Sequence, residues 1–383
     1  MIAVGLMSGT SLDGIDAVLV RIEPSAESYA FDILAFDTVP FEPELADALR
    51  MALPPHGCTV ATLAQLHHRL GNAFARAARH VAGELCVDYV ASHGQTIWHD
   101  GPAHTSVQIG DAFVIREAMN ATVCFDFRSG DCAVGGHGAP LVPYVDALLF
   151  TDVAEDRIAL NLGGIANITA IPAGSEPHDV LAFDTGPGNM LIDAFVRERT
   201  DARCDYDVDG AFAQAGTANA AALESMLQDT FFYEPVPKTT GREHFGSQFL
   251  DVHDAVLRGL SLEDGCATLG ELTSITVAAG VARAGLENAR ILCSGGGVKN
   301  RDVMRRLAQR LPRACVETTD RYGVPADAKE AVAFAILGYE TLRERATNVP
   351  RVTGASRAVP LGAIAPARLP ALLAQIERQC RSS

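Results

Sequence analysis

The pattern that most restricts the fold is a pair of short apolar runs around a turn of small residues, and it occurs twice. Ile2–Met7 and Ile15–Ile22 flank Ser8-Gly9-Thr10-Ser11-Leu12-Asp13-Gly14, and Arg157–Leu162 and Ile165–Ile171 flank Gly163-Gly164. Apolar runs joined by such turns read as β-hairpins. After the first hairpin come a third strand at Tyr29–Val39, helices at Glu42–Leu53 and Val60–Leu85, short strands at Asp88–Ser92 and Ser106–Ile109, a helix at Asp111–Met119 and a strand at Ala121–Phe125. After the second come strands at Val180–Phe183 and Ala289–Cys293 and helices at Met190–Glu198, Gln248–Arg258, Ala267–Ala284, Arg301–Arg310 and Ala328–Arg345. Each half therefore opens with an antiparallel hairpin and then alternates strand with helix, which predicts α/β layers. A chain of 383 residues is long enough for two such domains.

Composition removes several function classes. With 48% hydrophobic residues the chain has the apolar surface that disordered proteins lack. A formal charge of −16 opposes general nucleic-acid binding, which needs cations to displace phosphate counterions. It leaves room for a small phosphate ligand held by backbone N–H groups. The nine cysteines are scattered with no C-x-x-C, which argues against a disulfide framework or zinc ribbon and for a reducing compartment. No basic segment precedes the first apolar run, and no run reaches about 18 apolar residues. The expectation is a soluble cytoplasmic protein with no membrane partner.

Five groups of residues carry candidate chemistry. A turn rich in Gly, Ser and Thr lets backbone N–H groups approach an anion, so Ser8–Gly14 reads either as a phosphate loop, with Asp13 near a metal ion, or as an ordinary hairpin turn. It is no Walker A loop, because no Lys-Ser or Lys-Thr follows at the right distance. Two such turns, here and at Gly163-Gly164, could clamp a phosphate from opposite sides. Asp184, in Phe183-Asp184-Thr185-Gly186-Pro187-Gly188, ends a strand before a helix. A carboxylate there is placed for catalysis or for capping the helix. Ser294-Gly295-Gly296-Gly297 gives a backbone on which a flat ligand can lie, or simply a tight strand-to-helix turn. Ser92-His93-Gly94-Gln95-Thr96, together with Asp126-Phe127-Arg128, offers groups for a polyhydroxylated ligand, with Arg128 suited to a carboxylate; taken alone, these read as polar loops. His93, His99, His104 and His137 fit no zinc spacing, and no G-x-S-x-G marks a serine nucleophile.

The run Gly5-Leu6-Met7-Ser8-Gly9-Thr10-Ser11-Leu12-Asp13-Gly14-Ile15-Asp16 resembles the opening of the anhydro-N-acetylmuramic acid kinases. The resemblance continues in order through Ser92–Thr96, Asp126–Arg128, Gly135–Pro143, Asn161–Asn167, Phe183–Asn189, Ser294–Gly297, Glu330–Phe334, Val352–Ala355 and Leu361–Ala363. It departs from the family pattern at His137, where Gln is usual, and at Gly188, where Ala is usual. The family belongs with the acetate and sugar kinases, Hsp70 and actin. The resemblance implies two ribonuclease-H-like domains, 1–125 and 126–383, with part of the C-terminal tail a candidate addition to the first and helical insertions in the second, around an ATP cleft.

It further implies ATP and Mg²⁺ as cofactors, a homodimer, and 1,6-anhydro-N-acetylmuramic acid as substrate. The activity is opening of the 1,6-anhydro ring with phosphorylation of O6, in peptidoglycan recycling. By carry-over Asp184 is the general base. Gly9, Thr10, Ser11, Leu12, Asp13, Gly14, Ile15 and Asp16 hold ATP phosphates, with Gly163 and Gly164 on the opposite side. Ser294, Gly295, Gly296 and Gly297 lie toward the adenosine end. Gln95, Thr96, Arg128 and Glu330 contact the sugar, and Asp13 is the metal candidate. No second acid beside Asp184 is expected, since the γ-phosphoryl group can take the electrophilic role that an inverting glycosidase gives to its acid. Competing readings are another sugar kinase or phosphatase of this superfamily, and a non-catalytic ATP-dependent switch.

Overall fold

The computed structural model describes every residue except Thr10, Ser11, Asp13, 25–28, 54–55 and 383. The strands are β1 (Ile2–Ser8), β2 (Gly14–Pro24), β3 (Tyr29–Pro40), β4 (Tyr89–Asp100), β5 (Thr105–Ile109), β6 (Thr122–Phe125), β7 (Arg157–Leu162), β8 (Ile165–Ile171), β9 (Leu181–Pro187), β10 (Arg290–Ser294), β11 (Cys315–Thr318) and β12 (Ala363–Ala365). The chain divides into two compact units, Met1–Leu149 with Pro177–Asp179 and Ala328–Ser383, and Phe150–Glu176 with Val180–Asp327.

In unit 1 the strand order is β12-β6-β4-β1-β2-β3, with β5 paired to β4. β1, β2 and β3 form an antiparallel meander, and β4 and β6 continue the sheet parallel to β1. In unit 2 the order is β11-β10-β7-β8-β9, again an antiparallel meander of three followed by two parallel strands. Both sheets thus share one core connectivity, the α/β layering that the doubled hairpin pattern predicted and the ribonuclease-H-like arrangement that the family resemblance implied.

Unit 1 packs helices on both sheet faces. Helix Val60–Ala82 starts at a Thr59 cap and buries Leu66, Leu70 and Phe74 with Val4, Leu6 and Val90. Helix Lys329–Leu342 covers the other face, where a Cβ on Gly5 would lie 2.0 Å from the Ala331 carbonyl oxygen and one on Gly338 would lie 2.6 Å from the Ala91 Cβ. Only glycine permits so close an approach of helix to sheet. In unit 2, helix Leu262–Ala284 joins Ile168, Phe183 and Ile291 in the core. It is the one helix among the described residues long and apolar enough to cross a membrane, and 72% of that stretch is buried.

Several expected boundaries move. The division between the units falls after Leu149, not at 125/126, because buried Asp131 ties the segment after β6 to the C-terminal tail. Its carboxylate accepts hydrogen bonds from Gly138 N (2.8 Å), Asn348 Nδ2 (2.7 Å) and Thr353 Oγ1 (2.7 Å). Ser92–Thr96 is no loop after a strand but the middle of β4, where it pairs with β1 and β5. β9 runs on through Asp184 to Pro187. Helix Ala267–Ala284 starts earlier, at Leu262, because Ser261 caps it. The helix expected at Gln248–Arg258 is two short ones, Ser247–Val252 and Asp254–Leu257, broken at His253.

Candidate functional site

In unit 2 the extension of β9 carries Asp184. It caps no helix; helix Met190–Arg199 begins after Asn189. The Asp184 backbone N–H donates to the Lys238 carbonyl (2.9 Å), and its Oδ2 accepts from Thr240 N (2.8 Å). Desolvation pushes the carboxyl up to about 7 and nearby Glu243 adds to this, while the Thr240 N–H and Lys238 pull the other way. By exposed surface the residue as a whole is half-buried. A carboxylate near neutrality, with one oxygen oriented by a backbone donor, is suited to taking a proton from water. Lys238 is itself held, with its ammonium 4.0 Å from the centre of the Phe231 ring, and burial brings it down to about 8.

The glycine turns of unit 2 meet one another beside β7. Gly188 N and Asn189 N donate to the carbonyls of Gly164 and Gly163, each at 2.9 Å. These bonds tie down the β7–β8 turn. A Cβ on Gly188 would stand 2.2 Å from the Gly163 carbonyl oxygen, so glycine at this position lets the two turns touch. Gly295, with φ +82, and Gly297 sit as close to β7. Their Cβ atoms would meet Asn161 Oδ1 at 2.6 Å and Leu162 Cβ at 2.6 Å. Gly296 is exposed, with nothing within 4 Å of such an atom. The Ser294–Gly297 turn thus needs two glycines for packing and leaves one as open backbone. Ser294 is buried, with its hydroxyl 3.3 Å from the Leu160 carbonyl.

In unit 1 the first turn is braced from β4. The Ser8 hydroxyl lies 2.7 Å from Gln95 Oε1, and Gln95 Nε2 donates to the Gly9 carbonyl (3.3 Å) and the Thr96 carbonyl (3.2 Å). Gln95, 1% exposed, therefore spends its amide on the turn. Of the turn itself, Thr10, Ser11 and Asp13 lie outside the described residues. Leu12 and Ile15 are buried in the core, so only their backbone faces the turn. Gly14 pairs with β3, and Asp16 Oδ1 accepts from Thr38 Oγ1 at 2.6 Å. Among the described residues no group of three His, Cys, Asp or Glu is arranged to hold a metal ion.

Arg128, Glu330 and Thr96 complete this side. Arg128 donates from Nε to His93 Nε2 (3.1 Å) and from Nη1 to the Gly138 carbonyl (2.8 Å). Burial lowers its pKa, and Glu330 works against that. Glu330 stands in the first turn of helix Lys329–Leu342. Burial raises its pKa, against the pull of Lys329 and Arg128. It makes no hydrogen bond to another described residue. The Thr96 hydroxyl accepts from Gln108 Nε2 at 3.2 Å. Asp126, with φ +53, turns its carboxylate onto Ser129 N and Oγ and so shapes the corner that presents Arg128. Sequence reasoning missed the Lys238–Glu243 segment, whose only cue was a Thr-Thr-Gly turn after Pro237. It also missed the part played by Asp131.

A family model described as "Anhydro-N-acetylmuramic acid kinase" matches residues 1–367. Curated relatives named anhydro-N-acetylmuramic acid kinase include one from Xanthomonas axonopodis pv. citri, 44% identical over 95% of this chain and 97% of its own. One from Salinibacter ruber is 41% identical over 94% and 95%. Among solved structures, the activator of the 2-hydroxyisocaproyl-CoA dehydratase from Clostridium difficile with bound ADPNP aligns over 90% of this chain and 97% of its own, with TM-score 0.42 and 13% identity. A ROK family glucokinase from Streptomyces griseus in complex with glucose and AMPPNP aligns over 89% and 100%, with TM-score 0.39 and 12% identity.

Proposed function

The chain belongs to the anhydro-N-acetylmuramic acid kinase family, and from that premise we propose that it opens 1,6-anhydro-N-acetylmuramic acid with water and phosphorylates O6 at the expense of ATP. The product is N-acetylmuramic acid 6-phosphate, a step of peptidoglycan recycling. The substrate dictates the order of bonds, because its C6 oxygen is tied up in the bridge to C1. Asp184 takes a proton from water as that water attacks C1. The C1–O6 bond breaks, and the O6 electron pair attacks the γ-phosphorus as ADP leaves. Water supplies the new C1 hydroxyl, its second proton stays on Asp184, and solvent later removes it.

The structural observation that carries this reading is the carboxyl of Asp184, pushed up to about 7 and oriented by the Thr240 N–H. At neutral pH about half of such a carboxyl is ionised and able to accept a proton. Gly9–Asp16 and Gly163-Gly164 serve the ATP phosphates through backbone donors, and Ser294–Gly297 serves the adenosine end, with exposed Gly296 as its flat surface. Gln95 acts on the phosphate side by bracing Ser8 and Gly9. Arg128, Glu330 and Thr96 face the sugar. Arg128 grips the lactyl carboxylate, and Glu330, a half-buried carboxylate with no hydrogen-bond partner among the described residues, accepts from sugar hydroxyls. Asp13 is the residue assigned to Mg²⁺, an ion that would come with ATP and would neutralise charge on the transferred group. The active form is a cytoplasmic homodimer.

Turnover of ATP and the anhydro-sugar in H₂¹⁸O tests the reading. A 6-phosphorylated product with one solvent oxygen at C1 is the expected result. Phosphorylation without that label would point to a kinase for a free hydroxyl, since such an enzyme leaves C1 untouched. ATP turnover that ignores the sugar would point to a nucleotide-driven switch.

A further inference from the structure

We infer that His93 is a positioning residue for substrate selection: a permanently neutral, single-tautomer imidazole that aims the Arg128 guanidinium. The inference rests on the reading of Arg128 as the carboxylate-binding residue. It begins with donor and acceptor arithmetic. Arg128 Nε can only donate, so His93 Nε2, 3.1 Å away, must accept and carries no proton. The Gly94 carbonyl can only accept, so His93 Nδ1, 2.9 Å from it, carries the proton. Both ring nitrogens are thereby assigned, and the imidazolium is excluded while these bonds stand. The surroundings agree. His93 is 3% exposed, with its ring 4.7 Å from that of Phe334, which also contacts Phe127. Burial and the adjacent Arg128 bring His93 down to about 3.

The consequence lies in what remains of the guanidinium. His93 takes the Nε–H and Gly138 takes one N–H of Nη1. Three of the five donors are left, all at the Nη end. A carboxylate met there is bound in a direction fixed by two anchors behind it. Arginine is flexible, and an unanchored guanidinium would lose part of the geometric selectivity of a paired N–H contact. His93 therefore touches no substrate atom, yet it governs how sharply the site separates a sugar that bears a lactyl carboxylate from one that does not.

Calorimetric binding of two ligands tests this: 1,6-anhydro-N-acetylmuramic acid and 1,6-anhydro-N-acetylglucosamine, the same ring without the lactyl group. His93→Phe keeps a ring against Phe334 and removes the acceptor. It should cut the affinity ratio between the two ligands about tenfold, the worth of a hydrogen bond to a charged group, and leave kcat at saturating sugar close to the parent value. His93→Gln, whose carbonyl reaches the Nε2 position, should restore the ratio, whereas the shorter His93→Asn should not. An unchanged ratio in His93→Phe, while Arg128→Ala abolishes it, overturns the inference and spares the reading of Arg128. A ratio intact in Arg128→Ala overturns the reading itself. Should the Phe variant fail to fold, equal ratios in the Gln and Asn variants overturn the inference.

Discussion

In the proposed reaction, catalysis rests on one carboxyl whose protonation should be visible both in rate and in stability. Asp184 must be ionised to take a proton, so kcat/KM should fall about tenfold per pH unit below about 7 and level off above it. Asp184→Asn should lower kcat by about 10²–10⁴-fold. The same variant has a signature that loss of structure would not give. In the folded chain the carboxyl holds its proton up to about 7, while an unfolded aspartate releases it near 3.8. Between those values the folded state binds more protons, so stability declines as pH rises through the window and stays reduced above it. Asparagine removes that penalty. Its melting temperature should exceed the parent's at pH 8 and converge with it near pH 4. A variant that is inactive and also less stable at pH 8 would mean that Asp184 is mainly a structural group.

At the scale of elements, helix Lys329–Leu342 matters because it brings Glu330 beside Arg128 while its own start is pinned. Lys329 Nζ donates to Asp146 Oδ1 at 2.9 Å, with the side chains 3% and 4% exposed. A buried ion pair is weak evidence of net stability, but breaking it leaves a bare buried charge. Lys329→Met should therefore cost about 3–5 kcal/mol, and adding Asp146→Leu should return most of it, as urea unfolding would show. A double variant no better than the single would mean that the pair is not coupled. The sequence showed this helix and the hairpins clearly, since apolar alternation and Ala-rich helical spacing survive without tertiary help. β7 and β8 fall on the expected residues, and β1 to β3 move only at their ends. Strands that carry the site were less legible. β4 runs through His93, Gln95 and Thr96, polar residues that look like a loop until their partners Arg128, Ser8 and Gln108 are in place. Asp184 could be singled out from its strand-end position, but Thr240, 56 residues later, could not. No local pattern links residues joined only by the fold. β11 and β12 have 4 and 3 residues, too few for any periodicity to show.

At the scale of the whole molecule, connectivity is uneven. Unit 1 is assembled from the two ends of the chain, and unit 2 is nearly one continuous stretch from Phe150 to Asp327, interrupted only by Pro177–Asp179. The C-terminal segment of unit 1, Ala328–Ser383, is not peripheral. Residues 331–342 are buried, Tyr89 Oη donates to the Ala335 carbonyl at 2.7 Å, and β12 pairs with β6. A fragment of residues 150–327 contains both faces of its own core, whereas residues 1–149 leave one face of their sheet bare. Apolar burial is the main favourable term in folding, so a bare face should be decisive. The fragment 150–327 is expected to give a cooperative urea transition by circular dichroism. Residues 1–149 alone should not, and adding a peptide of residues 328–383 should recover the transition. A cooperative transition in residues 1–149 by themselves would show that the meander and helix Val60–Ala82 suffice, and that the C-terminal segment serves to place Glu330 rather than to complete the core.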